Sequence, residues 1–177
     1  ADLGPGLRQL VECLDAEGLG KIQLFGGKYG IRSETTRYKD PRNSLPSSER
    51  MEFAGMVPIN ELWEAYSQAD IAFDLMAPSA ERELNLSFRQ IDYLRCGVPI
   101  ITSPGQVLAA DLQEYGAGWC VEPGDAVALR TLLQRLLDEP ALLRKASKAA
   151  QKLAADRYAW TVTTQPLSKF VNNASKT

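Results

Sequence analysis

Apolar positions along the chain switch repeatedly between a helical and a strand period. In residues 6–17, Leu7, Leu10, Val11 and Leu14 recur at helical spacing, and Gly18 closes the pattern. The run KIQLFGG (21–27) then reads as a short buried strand ended by two glycines, and RMEFAG (50–55) as the next strand. After Pro58, residues 59–70 put Leu62, Trp63, Tyr66 and Ala69 on one helical face. IAFDLM (71–76) predicts a strand, and APSAERELNL (77–86) a loop. In SFRQIDYLRCG (87–97), Phe88, Ile91, Leu94 and Arg95 form a helical stripe that Gly97 stops. VPIITS (98–103) is apolar on both sides, as a central parallel strand is. A helix at 107–116, a strand at 118–123, an amphipathic helix at 125–140, a long helix at 141–158 and a short one near 161–172 complete the pattern.

This alternation predicts an α/β fold with a mostly parallel sheet and helices on both faces, a Rossmann-like three-layer domain. Such sheets bind ligands beyond the carboxyl ends of their strands. Those ends fall here at Gly26-Gly27, Gly55, the loop after Met76, Ser103-Pro104-Gly105 and Pro123-Gly124.

Composition narrows the chemistry. The chain has 177 residues, 45% hydrophobic and 24% charged, which is the profile of an ordinary globular domain. Its longest apolar runs are too short to cross a bilayer. The absence of histidine excludes Ser-His-Asp and Cys-His catalysis and histidine metal sites. Cys13, Cys96 and Cys120 are odd in number and widely spaced, so reduced thiols in a cytoplasmic protein are expected, with neither disulfides nor a metal site. Charge is unevenly placed: 51–124 is acidic and 125–177 basic. The basic end reads first as a solvated helix face and second as a peripheral contact with the cytoplasmic face of a membrane. No basic stripe interleaved with aromatics points to nucleic acid.

Candidate site residues cluster around the helix at 87–96. Ser87 stands where an N-cap hydroxyl and free backbone amides could receive an anion, or simply cap the helix. Arg89 lies in the first turn, where a cation opposes the helix dipole. Asp92 could accept both hydroxyls of a ribose, and Arg89 and Asp92 could equally pair with each other at i,i+3. Glu81 and Glu83 belong either to a ligand contact or to a solvated loop. After Gly27, itself a candidate donor contact, Lys28, Arg32, Arg37 and Lys39 give the loop a basic character that reads first as a solvated loop and second as suited to phosphate, and GGKYG lacks the spacing of a phosphate loop.

Together these segments resemble a known family. Phe53-Ala-Gly-Met-Val57, Glu61-Leu62, Tyr66 and Ala69-Asp70 match the F-x-G-x-V, E-L, Y, A-D run of GT-B glycosyltransferases similar to glycosyltransferase family four (group 1). Residues 92–101 resemble that family's acidic-residue, x4, G-x-P-V-I segment, and Gly116 to Asp125 its G-x-G and P-G-D segment. The resemblance covers residues from about 4 to 160. It implies the C-terminal, nucleotide-sugar-binding half of a two-domain enzyme: residues 1–160 form the donor-binding domain, and 161–177 cross toward an N-terminal acceptor domain.

Carried over residue by residue, the resemblance sets Gly55, Met56 and Val57 against the nucleobase and Asp92 on the ribose. Glu83 through Arg89, with Ser87 and Phe88 between them, lie against diphosphate and sugar. Phe88, Ile91 and Leu94 are expected to pack while Ser87, Arg89 and Asp92 face the nucleotide. The reaction implied is transfer of a sugar from a nucleotide diphosphate sugar to a glycan or lipid-linked acceptor, with no metal or other cofactor. Leu84 stands eight residues before Asp92, where the family often has Glu, and Asp92 replaces a second Glu. The family's domain opens with a strand and a phosphate-binding loop, whereas Ala1 leads almost directly into a helix. A missing first strand, a slot in the sheet and an inactive fragment are therefore expected. A nucleotide-free interaction module and a sugar-nucleotide epimerase remain as alternatives.

Overall fold

The computed structural model describes residues 4–26 and 48–174. In chain order these form α1 (Gly4–Glu17), β1 (Ile22–Phe25), β2 (Met51–Gly55), α2 (Ile59–Gln68), β3 (Ala72–Asp74), α3 (Ala80–Leu84), α4 (Phe88–Arg95) and β4 (Ile100–Thr102). There follow α5 (Ala109–Tyr115), β5 (Gly118–Cys120), α6 (Ala126–Asp138), α7 (Pro140–Arg157), α8 (Trp160–Thr163) and α9 (Gln165–Ala174). Local chemistry marks several boundaries. Asp125 caps α6 by accepting from Ala128 N at 2.9 Å, and Pro140 starts α7 where its missing N–H costs nothing.

All strand pairs among the described residues are parallel. β1 pairs with β2, and β3, β4 and β5 pair in that order, with Ala72, Ile100 and Gly118 in register. Ile100 and Ile101 show why helices must cover both faces. Both are fully buried, yet consecutive strand residues point to opposite sides. Ile100 joins a core with Tyr66, Leu94, Leu112 and Leu153, from α2, α4, α5 and α7. Ile101 joins another with Leu10, Leu14, Leu129 and Leu136, from α1 and α6. The result is the expected three-layer, Rossmann-like arrangement.

The sheet is not one continuous ladder. Among the described residues no ladder joins β1–β2 to β3–β4–β5. The two parts nevertheless share both cores: Ile22 of β1 lies with Ile101, and Phe25 packs beside Ile100's cluster. α1 begins against the end of β3, where a Cβ on Gly6 would stand 2.0 Å from the Leu75 carbonyl oxygen.

Two expected elements differ. The segment expected as a loop at 77–86 contains α3, because Ser79 Oγ accepts from Arg82 N and caps a short turn. The helix expected near 161–172 is two helices that meet at Thr164, with Pro166 in the first turn of α9. Proline is tolerated there but not in a helix interior.

Candidate donor site at the strand ends

Of the expected site residues that are described, Gly55, Met56 and Val57 lie at the carboxyl end of β2, and Glu83, Ser87, Phe88, Arg89 and Asp92 follow β3 on α3 and α4. At β2, Gly55 adopts a positive φ of 72° and accepts a hydrogen bond from Gly26 N at 2.8 Å. Met56 is exposed, Val57 half-buried, and α2 starts two residues later. Gly27 and Lys28 lie outside the described residues, as do Arg32, Arg37 and Lys39.

α4 carries the central group. Ser87 occupies the N-cap position, but its hydroxyl makes no capping bond; its carbonyl instead accepts from Gln90 N at 3.1 Å. The plain-capping reading of this serine therefore fails, and its hydroxyl has no partner among the described residues. Arg89 and Asp92 do not pair: neither forms an ion pair with any described residue. Arg89 is exposed and Asp92 half-buried.

Phe88 corrects the expected stripe. It is 82% exposed rather than packed. Steps of three residues drift by about 60° on a helix that advances about 100° per residue, so Phe88 and Leu94 end about 120° apart. The buried stripe runs through Gln90 and Leu94, both in the interior. Phe88 instead shares the outward face with Asp92 at i,i+4, and Arg89 stands beside them.

Gln90 was missed by the sequence reading because a polar residue next to a charged one resembles surface. It is 1% exposed and the centre of a buried polar network. Its Nε2 donates to Gln106 Oε1 at 3.0 Å and to Thr102 Oγ1 at 3.3 Å. Gln106 Nε2 and the Thr102 hydroxyl donate in turn to the Asp74 carbonyl at 3.0 and 3.4 Å. Ser103 Oγ donates to the Met76 carbonyl at 2.9 Å. Four of these side-chain bonds tie the first turn of α4 to the ends of β3 and β4, and the Ser103 bond adds a separate tie between the two strand ends, as a buried polar set requires if it is not to cost stability.

Asp74 and Arg82 were also passed over. Arg82 Nη1 lies 3.5 Å from Asp74 Oδ1. Burial pushes the Asp74 carboxyl above its usual range, opposed chiefly by the charge of Arg82. Behind this group Tyr66 and Tyr93 meet edge to face at 4.7 Å, and Phe25 reaches Tyr66 at 6.2 Å, which connects β1 to α4 through aromatic contacts. Burial raises both phenols, so these rings are neutral walls. Glu83 is exposed on α3 beside Leu84, which is 85% exposed.

The family model described as glycosyl transferases group 1 matches residues 25–153. The chain belongs to this family. The group 1 domain also resembles several solved structures. It is 22% identical to sucrose-phosphate synthase from Thermosynechococcus elongatus, with a TM-score of 0.74, covering 97% of this chain and 43% of that one. For Anabaena Alr3699/HepE in complex with UDP-glucose, identity is 17%, the TM-score 0.67, and coverage 98% and 47%. For WaaG, a glycosyltransferase involved in lipopolysaccharide biosynthesis, the values are 15%, 0.66, and 89% and 41%. The group 1 domain thus has the fold of GT-B glycosyltransferases and spans less than half the length of each. Comparison with curated proteins gave no match. Cys13, Cys96 and Cys120 are free thiols, and among the described residues no helix is long and apolar enough to cross a membrane.

Proposed function

We propose that the group 1 domain binds the nucleotide diphosphate sugar for a glycosyltransferase that passes the sugar to a glycan or lipid-linked acceptor. One observation carries the reading. At the start of α4, Ser87 makes no side-chain capping bond, Phe88 and Arg89 are exposed, and neither Arg89 nor the half-buried Asp92 forms an ion pair with a described residue. A nucleotide diphosphate uses each part of this set: the ring, the hydroxyl, the cation and the carboxylate.

In this reading Asp92 accepts the ribose hydroxyls, and Gly55, Met56 and Val57 flank the base. Ser87, Arg89 and the first amides of α4 face the diphosphate, while Glu83 reaches the sugar from α3. Charge grows on the diphosphate as the bond to the sugar breaks, and fixed donors aimed at it lower the barrier. Cations and helix-terminal amides supply that stabilisation, so the scheme calls on no metal ion. Acceptor binding lies outside this chain, and the chain alone transfers no sugar. The exposed Leu167, Phe170 and Val171 of α9 fit docking on the acceptor-binding half.

Calorimetric titration with UDP, GDP and ADP tests the proposal. One of the three should bind the wild-type chain, and Asp92→Ala should weaken that binding by about 1–3 kcal/mol, the range for a lost hydrogen-bonding partner to charge. Equal affinity in wild type and variant removes Asp92 from the site. A UDP-sugar is bound by one solved relative, the Anabaena protein, which makes UDP the first ligand to try.

A further inference from the structure

Asp74 and Arg82 form the least exposed ion pair among the described residues. Their side chains are 12% and 19% exposed, whereas in every other described pair at least one partner is more than a third exposed. Taking two charges out of water costs more than a single contact returns, so such a pair is poor evidence of a device for stability. At 3.5 Å the contact is also loose, and it uses one nitrogen of a guanidinium that carries five donors. The Arg82 side chain has no second acceptor among the described residues.

The mount beneath Arg82 is rigid. The Asp74 carbonyl is held by Gln106 and Thr102, and both are themselves held by Gln90. One buried carboxylate at the carboxyl end of β3 thus holds one edge of the Arg82 guanidinium.

We propose that Arg82 is a ligand of the donor's diphosphate and that Asp74 is the positioning residue that aims it. The inference rests on the nucleotide-sugar reading above and adds a residue to it. A bound diphosphate would take the free N–H groups of Arg82 in the forked geometry that guanidinium offers phosphate, while Asp74 keeps the opposite edge.

The test compares UDP, UMP and uridine, with the guanosine and adenosine series in parallel, on wild-type, Arg82→Ala, Arg82→Lys and Asp74→Asn chains. Circular dichroism establishes that each variant is folded. Arg82→Ala should lose about 10- to 100-fold in affinity for the diphosphate, the range for charged hydrogen bonds. Affinity for the nucleoside should change less than threefold. Arg82→Lys should recover part of the loss. Asp74→Asn should weaken diphosphate binding while sparing the nucleoside, which a purely structural tether of α3 would not do. An equal loss for all three ligands, or no loss for any, overturns the role of Arg82 and leaves the nucleotide site standing. Absence of nucleotide binding by the wild-type chain overturns both.

Discussion

Gln90 donates to Gln106 across 3.0 Å of fully buried space, joining the first turn of α4 to the segment after β4. The same amide reaches Thr102, so one side chain fixes how the outward face of α4 stands over the strand ends. Arg89 and Asp92 lie on either side of Gln90 in sequence and inherit that placement.

Replacing Gln90 with Leu should keep the volume but leave Thr102 Oγ1 and Gln106 Oε1 without their donor. A loss of about 1–3 kcal/mol is expected for groups left unsatisfied in the interior. Urea denaturation should report it as a lower midpoint at unchanged slope.

Phe88 and Leu94 should separate sharply, although both are large apolar residues of one helix. Leu94→Ala empties a fully buried position and should cost about 2–5 kcal/mol. Phe88→Ser removes an exposed ring and should stay within about 0.5 kcal/mol. Thermal melts of the two variants decide the matter, and a large loss from Phe88→Ser would restore the packing role expected from sequence.

Gly97 holds a positive φ of 76° at the end of α4. A Cβ there would also meet the Gln151 amide nitrogen at 2.8 Å. That side chain is exposed and can swing away, so the backbone strain decides the outcome. Gly97→Ala should destabilise by about 1–2 kcal/mol, measurable by denaturant titration.

Asp74 predicts a pH dependence of known sign. Its carboxyl is raised above the unfolded value, chiefly by burial. The folded state therefore binds more protons than the unfolded state as pH rises from the ordinary carboxylate range to the raised native value. Stability contributed by this group falls through that window and is level above it. Wild type should lose stability relative to Asp74→Asn as pH rises through this interval. A relative gain would show that the charge of Arg82 outweighs burial.

Much of the fold was readable because its signals are periodic. VPIITS announces a strand buried on both sides, and Ile100 and Ile101 divide between two cores accordingly. α3 was legible in principle from Ser79 followed by Glu81 and Glu83, an N-terminal helix signature that the surrounding polar residues obscured. The site was legible only in part. The face shared by Arg89 and Asp92 follows from helical spacing, but their failure to pair and the missing cap at Ser87 are matters of side-chain geometry. Gln90, Thr102 and Gln106 could not be found from spacing. They are joined only by a polar network through the ends of two strands, and nothing local distinguishes a buried glutamine from a solvated one.

Amide hydrogen exchange, with and without UDP, GDP or ADP, tests the donor-site account most directly. For at least one nucleotide, exchange should slow at residues 55–57 and 87–92, where the base, ribose and diphosphate are placed. Unchanged exchange in both segments with all three nucleotides would contradict the account.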